Sequence, residues 1–153
     1  MSKRVAIYCQ YLPKDGKTYV KTLLDELQEL GVEYAFNEEF ADKLEKIGGN
    51  GPVRRYSSSE ELAALNVFCV ITLGGDGTIL SAMTLIKDSG LPIMGLNLGR
   101  LGFLASIEKK YISTAIREWN EGRYTINERA MLYLESNMDL FGDQSFALND
   151  FTI

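Results

Sequence analysis

Short apolar runs alternate with stretches of helical spacing along the first 122 residues of the chain. The apolar-rich runs at 4–9, 32–36, 67–73 and 91–97 predict four β-strands. Apolar residues three or four positions apart predict helices at 18–30, 38–47, 79–87 and 108–119, and the serines and glutamates of 57–61 predict one more helix start. Near-continuous apolar strands joined by helices are typical of a parallel sheet covered on both faces. The pattern therefore predicts an α/β domain over residues 1–122.

The pattern changes after Gly122. Two strand-like stretches, 124–135 and 145–153, follow each other with no helical pattern between them. We therefore predict that a second, β-rich domain begins at residue 123 and continues to residue 153. Because the sequence stops within an apolar strand-like stretch, we also expect this chain to be the front part of a longer protein.

Composition narrows the chemistry that the chain can perform. Its 153 residues include 16 basic and 21 acidic side chains, and the resulting net charge of −5 disfavours an electrostatic nucleic-acid binder. The absence of histidine excludes histidine acid–base catalysis and histidine-ligated zinc within the chain. No stretch approaches the roughly 20 apolar residues of a membrane span, and no signal peptide is visible. Cys9 and Cys69 fall in predicted buried strands, so we expect reduced core thiols in a cytoplasmic protein with no membrane partner.

The segment Gly-Gly-Asp-Gly-Thr at 74–78 lies between a predicted strand and a predicted helix. Backbone N–H groups at such a turn can face an anion, and the helix end adds a partial positive charge. The single carboxylate, Asp76, is suited to accept a proton or to hold a cation beside phosphates. The segment therefore suggests a phosphoryl-transfer site that uses a nucleotide. An ordinary strand-to-helix turn, with Asp76 as a helix cap, is the alternative, since Walker A and dinucleotide fingerprints are both missing.

Two further segments carry candidate polar groups. Residues 97–104, Asn-Leu-Gly-Arg-Leu-Gly-Phe-Leu, follow the strand at 91–97, so this loop and the 74–78 turn should line one crevice at the carboxyl ends of the sheet. Alternatively, the loop docks its apolar residues on the core and leaves Arg100 solvated. Asn149 and Asp150 interrupt the apolar pattern of 145–153, which marks either a site or an ordinary polar pair.

In their order and spacing, the segments 73–80, 95–104 and 147–150 resemble the ATP-NAD kinase family. The first segment is shared with diacylglycerol kinases, sphingosine kinases and phosphofructokinases, whereas the second is more specific. Many family members carry Asn-Glu where this chain has Asn149-Asp150. The resemblance implies a Rossmann-like domain followed by a β-sandwich domain that binds NAD. It implies transfer of the γ-phosphoryl of ATP to the 2′-hydroxyl of the adenosine ribose of NAD, which gives NADP.

The resemblance also implies roles for individual residues. Asp76 would be the catalytic base that takes the proton from the 2′-hydroxyl. Mg²⁺ would accompany ATP and be held mainly by phosphate oxygens and water, with no metal-ligating residue in this chain. The implied nucleotide-binding residues are Gly74, Gly75, Gly77, Thr78 and Phe103, and the implied NAD-binding residues are Asp76, Gly77, Asn149 and Asp150.

The implied protein is a homo-oligomer, a dimer or a tetramer, in which a neighbouring subunit contributes to the NAD pocket. We therefore expect little or no kinase activity from the isolated chain. Two alternatives stay open. A lipid kinase of the diacylglycerol or sphingosine type shares the 74–78 motif, but is expected to continue with a Glu and Asn-Gly pattern that residues 79–83 lack. A non-catalytic nucleotide-binding module would keep the turn without the reaction. The phosphoryl donor and the acceptance of NADH are also left open.

Overall fold

Within the described residues, 3–48, 54–138, 142 and 145–148, a computed structural model places six strands in one parallel sheet. The strands are β1 Arg4–Cys9, β2 Glu33–Asn37, β3 Arg54–Tyr56, β4 Cys69–Gly74, β5 Ile93–Asn97 and β6 Ile107–Glu108. The helices are α1 Gly16–Glu29, α2 Glu38–Gly48, α3 Ser59–Ala64, α4 Asp76–Ile86 and α5 Ile112–Asn120, with a 3₁₀ turn at Lys109–Tyr111. The alternation of strands and helices is the predicted α/β architecture.

Neighbouring residues of β1 enter different hydrophobic cores. Val5, Ile7 and Cys9 pack on the face of the sheet that α1, α2 and α5 cover. Ala6 and Tyr8 pack on the opposite face, which α3 and α4 cover. This alternation follows from the two-residue period of a strand, and it confirms a sheet with helices on both faces.

The order of the strands reverses between β1 and β4. The sheet runs β3-β2-β1-β4-β5-β6, so the chain moves outward from β1 to one edge and then returns to the other side of β1. Every described pair in this sheet is parallel. Cys9 of β1 is paired with Leu73 of β4. The residues that follow both therefore lie at the reversal point, where sheets of this kind bind their ligands.

Helix α1 shows the apolar spacing from which it was predicted. Val20, Leu23, Leu24 and Leu27 are buried on the side that faces the sheet. Gly31, just beyond the end of the helix, has a φ of +66°, which is the left-handed conformation expected at a helix C-terminus. No described helix is long and apolar enough to cross a membrane.

The two cysteines are core residues, as predicted. Cys9 and Cys69 are both free and buried. Burial raises the pKa of each thiol to about 12. Both side chains are therefore protonated, apolar packing groups at neutral pH.

The end of the chain contributes a short antiparallel pair. Strands β7 Leu132–Tyr133 and β8 Phe146–Ala147 pair with each other, and the rings of Tyr133 and Phe146 lie 5.0 Å apart between centroids. Strand β8 lies against α4. This pair follows the parallel sheet and is consistent with the start of a β domain. The strand-like pattern at 124–135 is much longer than the two residues that form β7.

Candidate functional site

The 74–78 turn joins β4 to α4. Gly74 ends β4, and Gly75 is extended (φ −121°, ψ −160°) before the helix begins at Asp76. The carbonyl of Gly75 accepts the N–H groups of Thr78 and Ile79 at 3.1 and 3.4 Å, which closes the first helical turn. The helix thus begins three residues before the predicted start at Ile79. Most of the motif lies in the first turn of α4 rather than in a loop.

The three glycines of this motif have different structural roles. A Cβ at Gly74 would lie 2.8 Å from the Cβ of Thr78, so packing inside the turn requires glycine there. A Cβ at Gly75 or at Gly77 would have no heavy atom within 4 Å. The described part of the fold therefore leaves open space beside Gly75 and Gly77, and packing does not require glycine at either position.

Asp76 binds the backbone of a loop that lies far along the chain. Its Oδ2 accepts the N–H of Phe103 at 2.8 Å, and its Oδ1 accepts the N–H groups of Leu104 and Ala105 at 2.9 Å each. These three bonds, with that from Ala105 the strongest influence, lower the pKa of Asp76 below its ordinary value of 3.8. The carboxylate is therefore ionised at neutral pH and is a weak base.

Asp76 can still accept a further hydrogen bond. An ionised carboxylate offers about two acceptor positions on each oxygen. Oδ1 accepts two backbone bonds, whereas Oδ2 accepts one. The side chain is partly exposed. Within the part of the chain that the structure describes, one acceptor position on Oδ2 is thus unused.

Two glycines permit the close approach of the 98–105 loop to α4. A Cβ at Gly102 would lie 2.5 Å from the carboxyl carbon of Asp76 and 2.6 Å from its Oδ2. A Cβ at Gly95 would lie 2.9 Å from the Cα of Ala105 and 2.7 Å from the Cδ1 of Ile79. Contacts this short do not occur between real side chains, so the geometry around Asp76 depends on glycine at both positions.

The buried side chain of Asn97 also forms hydrogen bonds with the backbone of the 98–105 loop. Only 2% of this residue is exposed. Its Oδ1 accepts the N–H of Gly99 at 2.8 Å, and its Nδ2 donates to the carbonyls of Arg100 and Ala105 at 2.7 and 3.2 Å. The sequence pointed to the segment but not to this role. An asparagine that ends an apolar strand two residues before a glycine is the signal for such a turn.

The apolar residues of the 98–105 loop divide between core and solvent. Leu98 is buried, whereas Leu101 is 62% exposed and Phe103 is 95% exposed. The interpretation in which the loop docks all of its apolar residues on the core is therefore wrong for these two. Arg100 is exposed as well. Since the N–H of Phe103 donates to Asp76, the backbone of Phe103 lies beside the carboxylate while its side chain is exposed.

The structure brings together two of the three predicted segments. The 74–78 turn and the 97–104 loop meet at the carboxyl ends of β4 and β5. Asn149 and Asp150 lie outside the described residues. Among those described, no three histidine, cysteine, aspartate or glutamate side chains come together in a way that could hold a metal ion.

Comparison with known proteins identifies relatives over most of the chain. The family model described as the ATP-NAD kinase N-terminal domain matches residues 7–124. A protein of Cytophaga hutchinsonii named NAD kinase is 33% identical over 150 residues, which cover 97% of this chain and 51% of the relative. A Flavobacterium psychrophilum protein of the same name is 33% identical over 153 residues, which cover 98% of this chain and 52% of the relative. The chain spans about half the length of the curated relatives that it matches.

A solved structure shares the fold. The crystal structure of yeast NADH kinase complexed with NADH superimposes with a TM-score of 0.71 at 20% identity. The match covers 86% of this chain and 42% of that one. At this identity the likeness concerns the fold alone, and it agrees with a Rossmann-like sheet.

Proposed function

This chain belongs to the ATP-NAD kinase family, and we propose that it provides the Asp76 site of an NAD kinase. In the proposed reaction, the 2′-hydroxyl of the adenosine ribose of NAD attacks the γ-phosphorus of ATP, and the products are NADP and ADP. The observation that carries the proposal is the ionised, hydrogen-bonded carboxylate of Asp76. Its carboxylate, at the start of α4, accepts three backbone N–H groups from residues 103–105, and among the described residues one acceptor position on Oδ2 is unused.

Asp76 acts by positioning the hydroxyl and by taking its proton late in the reaction. Its lowered pKa keeps it ionised at neutral pH, and it also makes the carboxylate a weak base. Phosphoryl transfer passes through a loose transition state with little bond formation to the nucleophile. A weak but well-oriented acceptor suits this chemistry, because the hydroxyl proton becomes acidic only as the new P–O bond forms.

The surroundings of Asp76 suit the other proposed contacts. The open space beside Gly75 and Gly77 allows phosphate groups to approach the N-terminal N–H groups of α4, where the helix dipole favours anions. The exposed ring of Phe103 offers an apolar surface to a nucleotide next to the carboxylate. Gly74 and Thr78 shape the turn, and we retain Asn149 and Asp150 as proposed contacts to NAD.

Mg²⁺ is proposed as the partner of ATP. When bound, it neutralises charge that develops on the phosphate oxygens. Mg²⁺ keeps much of its water and binds substrate phosphates through few protein ligands. The single carboxylate at this turn agrees with that ligand set, and Asp76 would orient the acceptor hydroxyl toward the phosphates.

The same proposal extends to the setting of the protein. We propose a cytoplasmic homo-oligomer, a dimer or a tetramer, that acts on NAD and ATP without nucleic-acid or membrane partners. The net charge of −5 supports the absence of a nucleic-acid partner. The match to the ATP-NAD kinase N-terminal domain favours NAD over a lipid as the acceptor.

The test is the identity of the product. A hybrid in which this chain replaces the matching half of the Cytophaga hutchinsonii NAD kinase is given ATP, Mg²⁺ and NAD, and NADP is measured with an NADP-specific dehydrogenase. We expect NADP from the hybrid and little from the chain alone. Parallel reactions replace NAD with diacylglycerol or sphingosine. A folded hybrid that binds ATP and NAD but forms no NADP would contradict the proposal, as would phosphorylation of a lipid instead.

A further inference from the structure

A large basic cleft lies between α1 and α2, on the other side of β1 from Asp76. It has a volume of about 760 Å³, which is within the range of roughly 300–1,000 Å³ for small-molecule pockets. Among the described residues, its lining includes five of the nine lysines of the chain and no aspartate or glutamate. These are Lys14, Lys17, Lys21, Lys43 and Lys46. In a chain with 21 acidic residues and a net charge of −5, such a concentration of positive charge requires an explanation.

Three of the four acidic residues of α2 are paired away from this cleft. Glu38, Asp42 and Glu45 lie on one face of the helix, where Arg55 of β3 binds all three at 2.8–3.0 Å. The lysines at 43 and 46 lie on the face that lines the cleft. Three of the four acids of α2 are thus paired with Arg55 of β3, whereas Glu39 is exposed and does not line the cleft, and the two lysines lie on the cleft side.

The cleft lysines have few partners of opposite charge. Lys21 binds Asp25, one turn further along α1, at 2.7 Å. Within the described residues, Lys14, Lys17, Lys43 and Lys46 form no ion pair. Four ammonium groups therefore face one concave surface without a carboxylate.

The acidic neighbour of Lys14 is also engaged elsewhere. Asp15 binds Lys109, which precedes α5, at 2.8 Å. This bond lowers the pKa of Asp15, so the carboxylate is ionised at neutral pH, and Asp15 does not line the cleft. The separation of acids from the cleft thus holds on the α1 side as well as on the α2 side.

The floor of the cleft is apolar. Phe40 is buried, and Leu12, Pro13 and Ile47 are partly buried. The ammonium of Lys43 lies 4.6 Å from the centroid of the Phe40 ring. A cationic rim around an apolar floor suits a ligand with several negative charges, since flexible lysines bind phosphate as point charges from several directions.

One end of the cleft lies at the carboxyl end of β1, the strand that pairs with β4. Gln10, which lines the cleft, directly follows Cys9, and Cys9 is paired with Leu73. Gln10 therefore follows the end of β1, whose neighbour β4 ends one residue after Leu73, at Gly74. A chain of phosphates that lies along the lysines can extend toward the reversal point of the sheet.

We propose that the cleft between α1 and α2 binds a chain of phosphates, the chemistry that nucleoside triphosphates and inorganic triphosphate share. The site uses none of the residues assigned to the reaction at Asp76. The test measures equilibrium binding without turnover. The cleft can therefore fail to bind phosphates while the proposed NAD kinase function stands, and the cleft can bind phosphates even if that function is wrong.

The experiment is calorimetric titration of the chain with inorganic triphosphate, ATP and adenosine at low salt. The test variant carries Lys43→Gln and Lys46→Gln. The matched control carries Lys87→Gln and Lys110→Gln, which remove the same charge outside the cleft. We expect the test variant to bind both triphosphates about tenfold more weakly. Each exposed lysine–phosphate contact contributes little by itself, but the two substitutions remove two such contacts at once. The control should stay within twofold of the original protein, and added salt should weaken binding.

Three results would overturn the proposal: no saturable binding of either triphosphate, equal losses in both variants, or adenosine binding as tightly as ATP. Equal losses for ATP and inorganic triphosphate in the test variant would assign the phosphate chain alone. Tighter binding of ATP than of triphosphate would add a nucleoside contact on the apolar floor. Circular dichroism checks the fold of each variant, and Lys14→Gln with Lys17→Gln repeats the test from the α1 side if the α2 variant unfolds.

Discussion

Replacing Gly102 with alanine should displace the Asp76 carboxylate. The new Cβ would lie 2.5 Å from the carboxyl carbon and 2.6 Å from Oδ2, so either Asp76 or the loop must move. The three hydrogen bonds from residues 103–105 are then lost or lengthened. The φ of Gly102 is not in the left-handed region, so alanine itself is not strained by the backbone.

The size of the effect follows from these bonds. Hydrogen bonds to charged groups contribute about 1.5–3 kcal/mol each when well buried, and the partial exposure of Asp76 reduces the three together to about 2–3 kcal/mol. Alanine restricts the unfolded chain and returns about 0.4–1 kcal/mol. The expected net loss in the free energy of unfolding is about 1–2.6 kcal/mol, which lowers the melting temperature by about 2–10 °C in a protein of this size.

The assay combines urea denaturation with amide hydrogen exchange at residues 103–105. Gly99→Ala is the matched control in the same loop, because among the described atoms its Cβ would have the Oδ1 of Asn97 alone within 4 Å, at 3.9 Å. A second control places Gly102→Ala in an Asp76→Ala background, where the cost should fall below about 0.5 kcal/mol. Equal stability of Gly102→Ala and Gly99→Ala, with unchanged exchange at 103–105, would refute the reasoning.

Three further predictions concern the same framework. Asn97→Ala should lower the free energy of unfolding by about 2–4 kcal/mol, because it leaves buried backbone groups without partners, and denaturation that shows a loss under 1 kcal/mol would contradict this. The difference in the free energy of unfolding between the original protein and Asp76→Asn should be constant from pH 5 to 8 and should shrink below pH 4. The reason is that a carboxyl with a lowered pKa stabilises the folded state only while it is ionised. Denaturation of both proteins across this pH range checks it. Cys9 and Cys69 should react slowly with a thiol reagent at pH 8 in the folded protein and quickly in denaturant, because burial raises both pKa values to about 12; rapid labelling of the folded protein would oppose this.

The sequence predicted the position of Asp76 but not its partners. The apolar run before 74–78 and the helical spacing after it were enough to locate the motif at the carboxyl end of a strand. The bonds to Phe103, Leu104 and Ala105 come from backbone groups 27–29 residues away, whose direction depends on the conformation of the loop. No side-chain pattern records that direction. The first turn of α4 was also not predicted, because three glycines within five residues are typical of a loop. The helix start at Asp76 depends on the extended conformation of Gly75, which the sequence does not show.

Short edge strands and the basic cleft escaped prediction for different reasons. Strand β3, Arg54–Tyr56, has two exposed arginines and no apolar run, so its pairing with β2 supplies the signal that its own sequence lacks. The cleft lysines belong to two stretches, 14–21 and 43–46, that each look like an ordinary solvated face. Their convergence appears only once α1 and α2 pack side by side on the sheet.

The most direct test of the Asp76 account is turnover by the hybrid enzyme with Asp76→Asn, measured alongside the affinity for NAD and ATP. Asp88→Asn, at an exposed position beyond the far end of α4, is the matched control. We predict that Asp76→Asn lowers the rate of NADP formation by about 10²–10⁴-fold while both nucleotides still bind within a fewfold of the original affinity, and that Asp88→Asn changes neither. An Asp76→Asn hybrid that forms NADP at the original rate would contradict the account.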